Sequence, residues 1–270
     1  MASHFTLGRV DKDLLDRFSP GLEVISSVGA GYDFVDVDLA TQNRQWVTNT
    51  PGVVDDATAD MTILLLLGTL RNQYAAEYAL RHGLTVKHQA GRDPTGMTLG
   101  IVGMGGIGKA VAKRAQALGM NIVYHNRKPI QHTLENVVYM PTLDALLEAS
   151  DVVSIHVPLT TETRHLFGAE QFGKMKPGSY LINTSRGPVV HEDALVSALE
   201  SGHIAGAGLD VFEYEPKVHP GLLKNMNVSL MPHHGAFTID TMTKMEDLSL
   251  ENIDRYLSSG SLVTPVNHFV

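Results

Sequence analysis

An α/β chain built around a doubly wound parallel sheet is the fold class that these 270 residues predict, and three observations carry the prediction. Short apolar, β-branched runs recur between stretches of helical periodicity. A glycine-rich turn at 103–108 joins one such run to one such stretch. The two kinds of segment then alternate to the end of the chain, which is how the strand–helix–strand units of a parallel sheet read. Length and a 43% apolar content fit one large domain or two medium ones, of which two are favoured.

The elements follow in order. Residues 11–18 have helical spacing, and 22–28 (LEVISSV) read as a strand broken at Gly29-Ala30-Gly31, where a loop exposes backbone donors. Residues 32–43 read as a turn into a helix, and 46–49 as a strand ended by Thr50-Pro51-Gly52. Asp55 and Asp56 precede one long helical pattern from 57 to about 81, acidic where a helix N-terminus favours acids, and this single helix is expected to link two domains. Residues 83–96, with Gly83, Gly91, Pro94 and Gly96, read as an irregular connection. Leu99, Ile101 and Val102 then suit a buried strand, and 109–120 place Ala110, Val111, Ala115 and Leu118 at helical spacing. Further strands are predicted at 121–124, 151–156, 179–183, 207–210 and 228–231, with helices at 143–148, 191–201 and 238–257. The resulting division is a substrate domain at 1–52, a cofactor domain at 53–237 that includes the linking helix, and a segment at 238–270 that returns to the first domain.

The turn itself reads TLGIVGMGGIG at 98–108, a Gly-x-Gly-x-x-Gly pattern at Gly103, Gly105 and Gly108. A strand before it and a helix after it make it a dinucleotide-binding turn of the Rossmann kind. Gly103 permits the tight turn, Gly105 the approach of a pyrophosphate, and Gly108 the close packing of helix on strand. Gly106 and Ile107 begin the helix, whose N-terminus faces the phosphates. Eighteen residues beyond Gly108, where an NAD-preferring chain carries an acidic residue for the ribose hydroxyls, stands Asn126, followed by Arg127 and Lys128. A neutral amide and a guanidinium accommodate a 2′-phosphate that a carboxylate would repel, so NADP(H) is favoured, with NAD(H) the other possibility.

Composition excludes several other chemistries. With no cysteine there is neither disulfide, thiolate nucleophile nor cysteine-ligated zinc, so redox chemistry falls to a bound cofactor. A formal charge of −8 disfavours nucleic acid and anionic membrane as partners. The N-terminus has no cationic start followed by an apolar block, and the apolar run at 63–67 is too short to span a bilayer, so a cytoplasmic protein is expected. No Gly-x-Ser-x-Gly elbow, phosphate loop or His-Glu-x-x-His helix occurs. Asp33, Asp36 and Asp38 lack the glycine and glutamate of a calcium loop, and no metal site is expected.

Ordered blocks along nearly the whole chain resemble the D-isomer-specific 2-hydroxyacid dehydrogenase family: VGAGYD at 28–33, VTNTPGV at 47–53, the glycine turn, HVPLT at 156–160, KPGSYLINTSRG at 176–187, GLDVFEYEP at 208–216, and Pro232-His233. The chain is most similar to fungal D-mandelate dehydrogenase-like members, with a second-strand ending like that of glyoxylate/hydroxypyruvate reductases. The resemblance implies hydride transfer between NADPH or NADH and a small 2-oxo or D-2-hydroxy acid. It implies that Arg186 binds the substrate carboxylate and polarises the adjacent carbonyl, that His233 is the proton donor, and that Glu215 pairs with it. It further implies carboxylate contacts from the Ala30 and Gly31 amides, nicotinamide-side contacts from Asp210 and His233, cofactor contacts from the loops bearing Pro158, Thr163 and Thr184, and a homodimer.

Three positions depart from the family pattern. His234 stands where a small or aliphatic residue is usual, and Asp55, read as a cap of the long helix, stands where many members carry threonine. The chain also begins about where family members have completed the first strands and helices of their substrate domain, which would leave a sheet edge uncovered. The alternative expectation is therefore a dinucleotide-binding interaction or sensor protein with impaired catalysis.

Overall fold

The computed structural model describes residues 1–3, 8–18, 20–85, 90–131 and 134–269, and its chain divides into two units: Met1–Ala57 with Ala236–Val270, and Thr58–Gly235. In the first unit, strands β1 (Ala2–Ser3), β2 (Val24–Ser27) and β3 (Trp46–Thr48) form a parallel sheet in that order, with helices α1 (Lys12–Phe18) and α2 (Val37–Gln42) between them. The helix expected over 32–43 is confined to Val37–Gln42 because the Asp36 carboxylate accepts the Leu39 N–H at 3.0 Å, capping it there. Val10, Leu15, Ile25, Phe34, Val35, Ala40 and Val47 make the core. The C-terminal tail is stitched to this unit by Asn267, whose Oδ1 accepts the Val47 N–H at 2.8 Å while its Nδ2 donates to Gln45 O and Thr41 Oγ1.

One long helix does not form after Asp55. Two helices do, α3 (Asp55–Leu70) and α4 (Gln73–Arg81), separated at Asn72 with φ +52°. The Leu70 carbonyl, which a continuous helix would give to residue 74, instead accepts the Arg92 N–H at 2.9 Å, and asparagine is among the residues that best tolerate the left-handed turn. Asp55 lies inside the first turn of α3, where burial and the neighbouring Asp56 push its carboxyl above the ordinary range.

The second unit is a seven-stranded, wholly parallel sheet. Its elements are β4 (Thr98–Val102), α5 (Gly106–Ala117), β5 (Asn121–His125), β6 (Val137–Tyr139), α6 (Leu143–Ala149), β7 (Val152–Ile155), α7 (Ala169–Lys174), β8 (Ser179–Asn183), α8 (Glu192–Glu200), β9 (Ile204–Leu209), α9 (Pro220–Lys224) and β10 (Val228–Leu230). The last helix, α10 (Ile239–Ser259), belongs to the first unit. Strand order is β10-β9-β8-β7-β4-β5-β6, so the order reverses between β4 and β7, where open α/β sheets bind ligands at the carboxyl ends of their strands.

Alternation along the strands explains the double cover. Ile101, Ile122, Val152 and Ile182 pack with α3 and α5, whereas their neighbours Val102, Val123, Val153 and Leu181 pack with α6, α7 and α8. Truncating a fully buried member such as Ile101 to alanine would cost about 2–5 kcal/mol.

Candidate active site

The chain leaves β4 at Gly103, whose φ of +101° suits glycine and whose N–H donates to His125 O at 3.0 Å. A Cβ there would lie 2.6 Å from His156 O, and one on Gly108 would lie 2.3 Å from Gly103 O. Gly105 differs: its φ of −82° is open to any residue, and a Cβ would meet no atom within 4 Å. Packing within the protein therefore explains Gly103 and Gly108 but not Gly105, whose bareness preserves space beside the helix end. The first turn of α5 carries no acidic side chain, and the N–H groups of Gly106, Ile107 and Gly108 precede the first bond within the helix, from Lys109 N–H to Gly105 O. This cradle fits the pyrophosphate of a dinucleotide.

At the end of β5, Asn126 turns toward the glycine loop, its Oδ1 accepting the Met104 N–H at 2.7 Å. It closes the loop and places no carboxylate there, while Arg127 and Lys128 are exposed beside it. After β7, Pro158 is exposed, and the Thr163 hydroxyl donates to Pro158 O at 2.6 Å and accepts the Thr160 N–H at 2.8 Å, folding that loop on itself. Thr184, after β8, is buried with its hydroxyl 2.8 Å from that of Thr62, whose own proton goes to Thr58 O. Thr184 consequently donates to Thr62 and keeps acceptor capacity.

Three segments present the charged groups. Arg186 follows β8 at a 3-10 turn over Gly187–Val189, its Nη1 donating to Ser185 O at 2.8 Å and its main-chain oxygen accepting the Asn183 Nδ2 at 3.0 Å. Glu215 follows β9, with Oε1 accepting the Phe212 N–H at 2.9 Å and Oε2 lying 2.7 Å from His233 Nδ1. His233 follows β10 at φ +58°, its N–H donating to Asp210 O at 2.7 Å. The next two N–H groups, of His234 and Gly235, each donate to the Asp210 carboxylate at 2.7 Å. These bonds anchor the backbone on which His233 stands, although burial pushes the Asp210 carboxyl above the ordinary range.

A carboxylate accepts and does not donate, so His233 carries a proton on Nδ1, and Nε2 is the ring's other exchangeable nitrogen. Of the two adjacent histidines, it is His233 whose ring meets Glu215. Ala30 and Gly31 lie in the first unit, half-buried; the Ala30 carbonyl accepts Asn49 Nδ2 at 2.7 Å, and among the described residues neither N–H of the pair meets a protein acceptor.

His156 is a residue the sequence analysis passed over within its own block. Its Nε2 lies 2.8 Å from Ser154 Oγ, its Nδ1 is buried with no protein partner, and burial lowers its pKa to about 3, so it is neutral. The signal was present, since Ser154 and His156 are two apart on a strand and share a face. Among the described residues no group of three or more His, Asp or Glu side chains could hold a metal, and no helix is long and apolar enough to cross a membrane.

Comparison with known proteins gives a consistent result. Residues 63–235 match the family model for the NAD binding domain of D-isomer specific 2-hydroxyacid dehydrogenases. The chain is 44% identical over 260 residues to 4-methyl-2-oxopentanoate reductase A of Aspergillus oryzae, covering 96% of this chain and 79% of the relative. The crystal structure of a glyoxylate reductase from Paecilomyes thermophila superposes with a TM-score of 0.94 at 43% identity, covering 98% of this chain and 82% of that one. An NADPH-dependent glyoxylate/hydroxypyruvate reductase from Sinorhizobium meliloti, solved in complex with NADP and malonate, superposes with a TM-score of 0.91 at 42% identity, covering 98% and 82%.

Proposed function

This chain belongs to the D-isomer specific 2-hydroxyacid dehydrogenase family, and we propose that it interconverts a small 2-oxo acid and its D-2-hydroxy acid with NADPH in preference to NADH. The observation that carries the catalytic reading is the 2.7 Å pairing of Glu215 with His233 Nδ1, which orients the ring and makes Nε2 the proton-exchanging nitrogen. When bound, the nicotinamide dinucleotide supplies the hydride for reduction and receives it in oxidation. His233 delivers the proton from Nε2 to the substrate oxygen, and the Glu215 carboxylate stabilises the imidazolium from which it comes. Arg186, a planar and permanently charged fork, holds the substrate carboxylate and polarises the adjacent carbonyl. The Ala30 and Gly31 N–H groups are assigned to a substrate carboxylate by the family resemblance and by their lack of described protein acceptors.

The glycine turn and the Gly106, Ile107 and Gly108 N–H groups hold the pyrophosphate, and the loops bearing Pro158, Thr163, Thr184 and Asp210 flank the nicotinamide half. Arg127, with Lys128, meets the 2′-phosphate, and Asn126, its Oδ1 already committed to Met104, offers no carboxylate to repel it. The Sinorhizobium meliloti relative, solved with NADP, supports this cofactor choice. A cytoplasmic homodimer completes the reading: α4 buries none of its residues, and light scattering after gel filtration would detect a second copy.

The decisive assay follows nicotinamide absorbance with glyoxylate, hydroxypyruvate, phenylglyoxylate and 4-methyl-2-oxopentanoate, each with NADPH and NADH. Turnover with one or more acids, faster with NADPH, is the expected result. Nucleotide binding with no turnover on any of them would overturn the enzyme reading in favour of a binding role.

A further inference from the structure

Behind the acid/base pair lies a second cluster of charged side chains that the reaction does not use. Glu213, two residues before Glu215, has a side chain only 5% exposed, and His165 Nε2 lies 2.6 Å from its Oε1. Its main-chain N–H donates to Glu192 Oε1 at 2.8 Å, while its Oε2 accepts the Glu192 N–H at 3.4 Å. The two glutamates thus exchange main-chain and side-chain bonds reciprocally. Burial pushes Glu213 up, but the hydrogen bonds from His165 and the Glu192 N–H, with the charges of His165 and His191, outweigh it and hold its carboxyl below the usual range. Glu192 is pushed up by burial, and the charge of Glu213 adds to that shift against the bond from the Glu213 N–H. Glu213 is thus the more readily ionised of the two, and His165, facing its carboxylate, is the donor.

Each partner comes from a segment that matters to the site. His165 ends the loop that begins at Pro158, and its N–H donates to Pro188 O at 2.8 Å, just beyond Arg186. Gly187, next to Arg186, lies so close to the Phe212–Glu213 peptide that a Cβ would sit 1.9 Å from the Phe212 carbonyl carbon. Phe212 in turn donates its N–H to Glu215 Oε1 at 2.9 Å. A continuous path of short contacts therefore joins the 158–165 loop, the Arg186 turn and the Glu215 carboxylate, and Glu213 stands at its centre.

We propose that Glu213 is a positioning residue that, through His165 and Glu192, fixes the turn at 212–215 and so sets the presentation of Glu215 to His233. The proposal rests on the reading of Glu215 and His233 as the acid/base pair. Loosening this turn weakens the support that Glu215 gives to the imidazolium, so His233 loses its proton at lower pH and reduction fails earlier on the alkaline side.

The test measures kcat and KM for 2-oxo acid reduction across pH, nucleotide binding by fluorescence, and thermal melting for Glu213→Ala, Glu213→Gln and His165→Gln. Glu213→Ala is expected to lower kcat about tenfold, a displacement effect smaller than that of a full ångström, and to move the alkaline limb of the kcat profile to lower pH without weakening nucleotide binding. Glu213→Gln, which keeps one of the two acceptor oxygens, is expected to restore part of both, and His165→Gln to show the same limb shift in milder form. A Glu213→Ala protein that melts and binds nucleotide like the parent and keeps its kcat and alkaline limb overturns the proposal. If that variant does not fold, an unshifted limb in His165→Gln overturns it. Glu215→Gln and His233→Gln run alongside: if these retain full activity the acid/base reading itself falls, whereas if they are inactive while Glu213→Ala is not, the positioning role alone falls.

Discussion

The glycine turn and the Glu215–His233 pair both stand at the carboxyl ends of strands in one parallel sheet, and they are held by opposite means. At the turn the backbone packs against itself: Gly103 against His156 O, Gly108 against Gly103 O, with Asn126 closing the loop through Met104. At the pair, side chains reach across chain: Asp210 takes two N–H groups near His233, and Glu215 is fastened to Phe212 on one oxygen and to His233 on the other. The turn is therefore sensitive to atoms added, and the pair to atoms or charges removed. This difference suits the tasks proposed for them, since a pyrophosphate needs N–H groups and space, whereas a proton needs one nitrogen held at one orientation.

The comparison can be broken most forcefully at His233. His233→Ala is expected to reduce kcat by about 1,000-fold with a far smaller loss of nucleotide affinity, because general acid catalysis is lost and the phosphate cradle is not; equal losses in both would mean that the two regions are not separable. Next, Gly105→Ala adds an atom where the protein has room, so the melting temperature should hold while nucleotide affinity falls on the order of 100-fold. If melting and binding fall together, the bareness of Gly105 serves the fold instead of the ligand.

His156, whose carbonyl abuts Gly103, gives a pH signature for the turn side. Its pKa is lowered from 6.5 to about 3 by burial, so the unfolded chain binds the extra proton between those values and stability falls as pH drops through that window. The loss should amount to about 2 kcal/mol between pH 7 and pH 5, and His156→Gln should flatten that slope in chemical denaturation. The smallest effect is expected at the exposed Arg127, where replacement by alanine should raise KM for NADPH about tenfold and leave NADH unaffected. A preference for NADPH that survives the substitution would move the phosphate contact elsewhere.

Much of the fold was legible because most strands of the large unit announce themselves locally. Runs such as LGIV and DVVSI are β-branched, short and bounded by turn residues. What escaped were features set by remote partners. The periodicity from 57 to 81 carries no mark of the break at Asn72, because the cause is Arg92, which claims the Leu70 carbonyl from twenty-two residues away. The three-residue strand β6 was missed because VVY is too short to show alternation, and it acquires strand character by pairing with β5. At the site, the glycine pattern and the blocks around Arg186, Glu215 and His233 were readable as residue types in order. That Asn126 spends its oxygen on Met104, and Thr184 its proton on Thr62, was not, since each partner lies in another segment.

By itself the sequence determined the alternation of elements, the conformational freedom at Gly103, and a roster of residues able to bind a dinucleotide and move a proton, because these follow from local sterics and the chemistry of single side chains. The tertiary structure decided which of those groups meet. Parallel register brings the ends of β8, β9 and β10 side by side, so that residues at 186, 215 and 233 are presented from adjacent strand ends. It also decided that Glu213 ionises more readily than Glu192, because the tilt between neighbouring carboxyls depends on surroundings assembled from three separate segments.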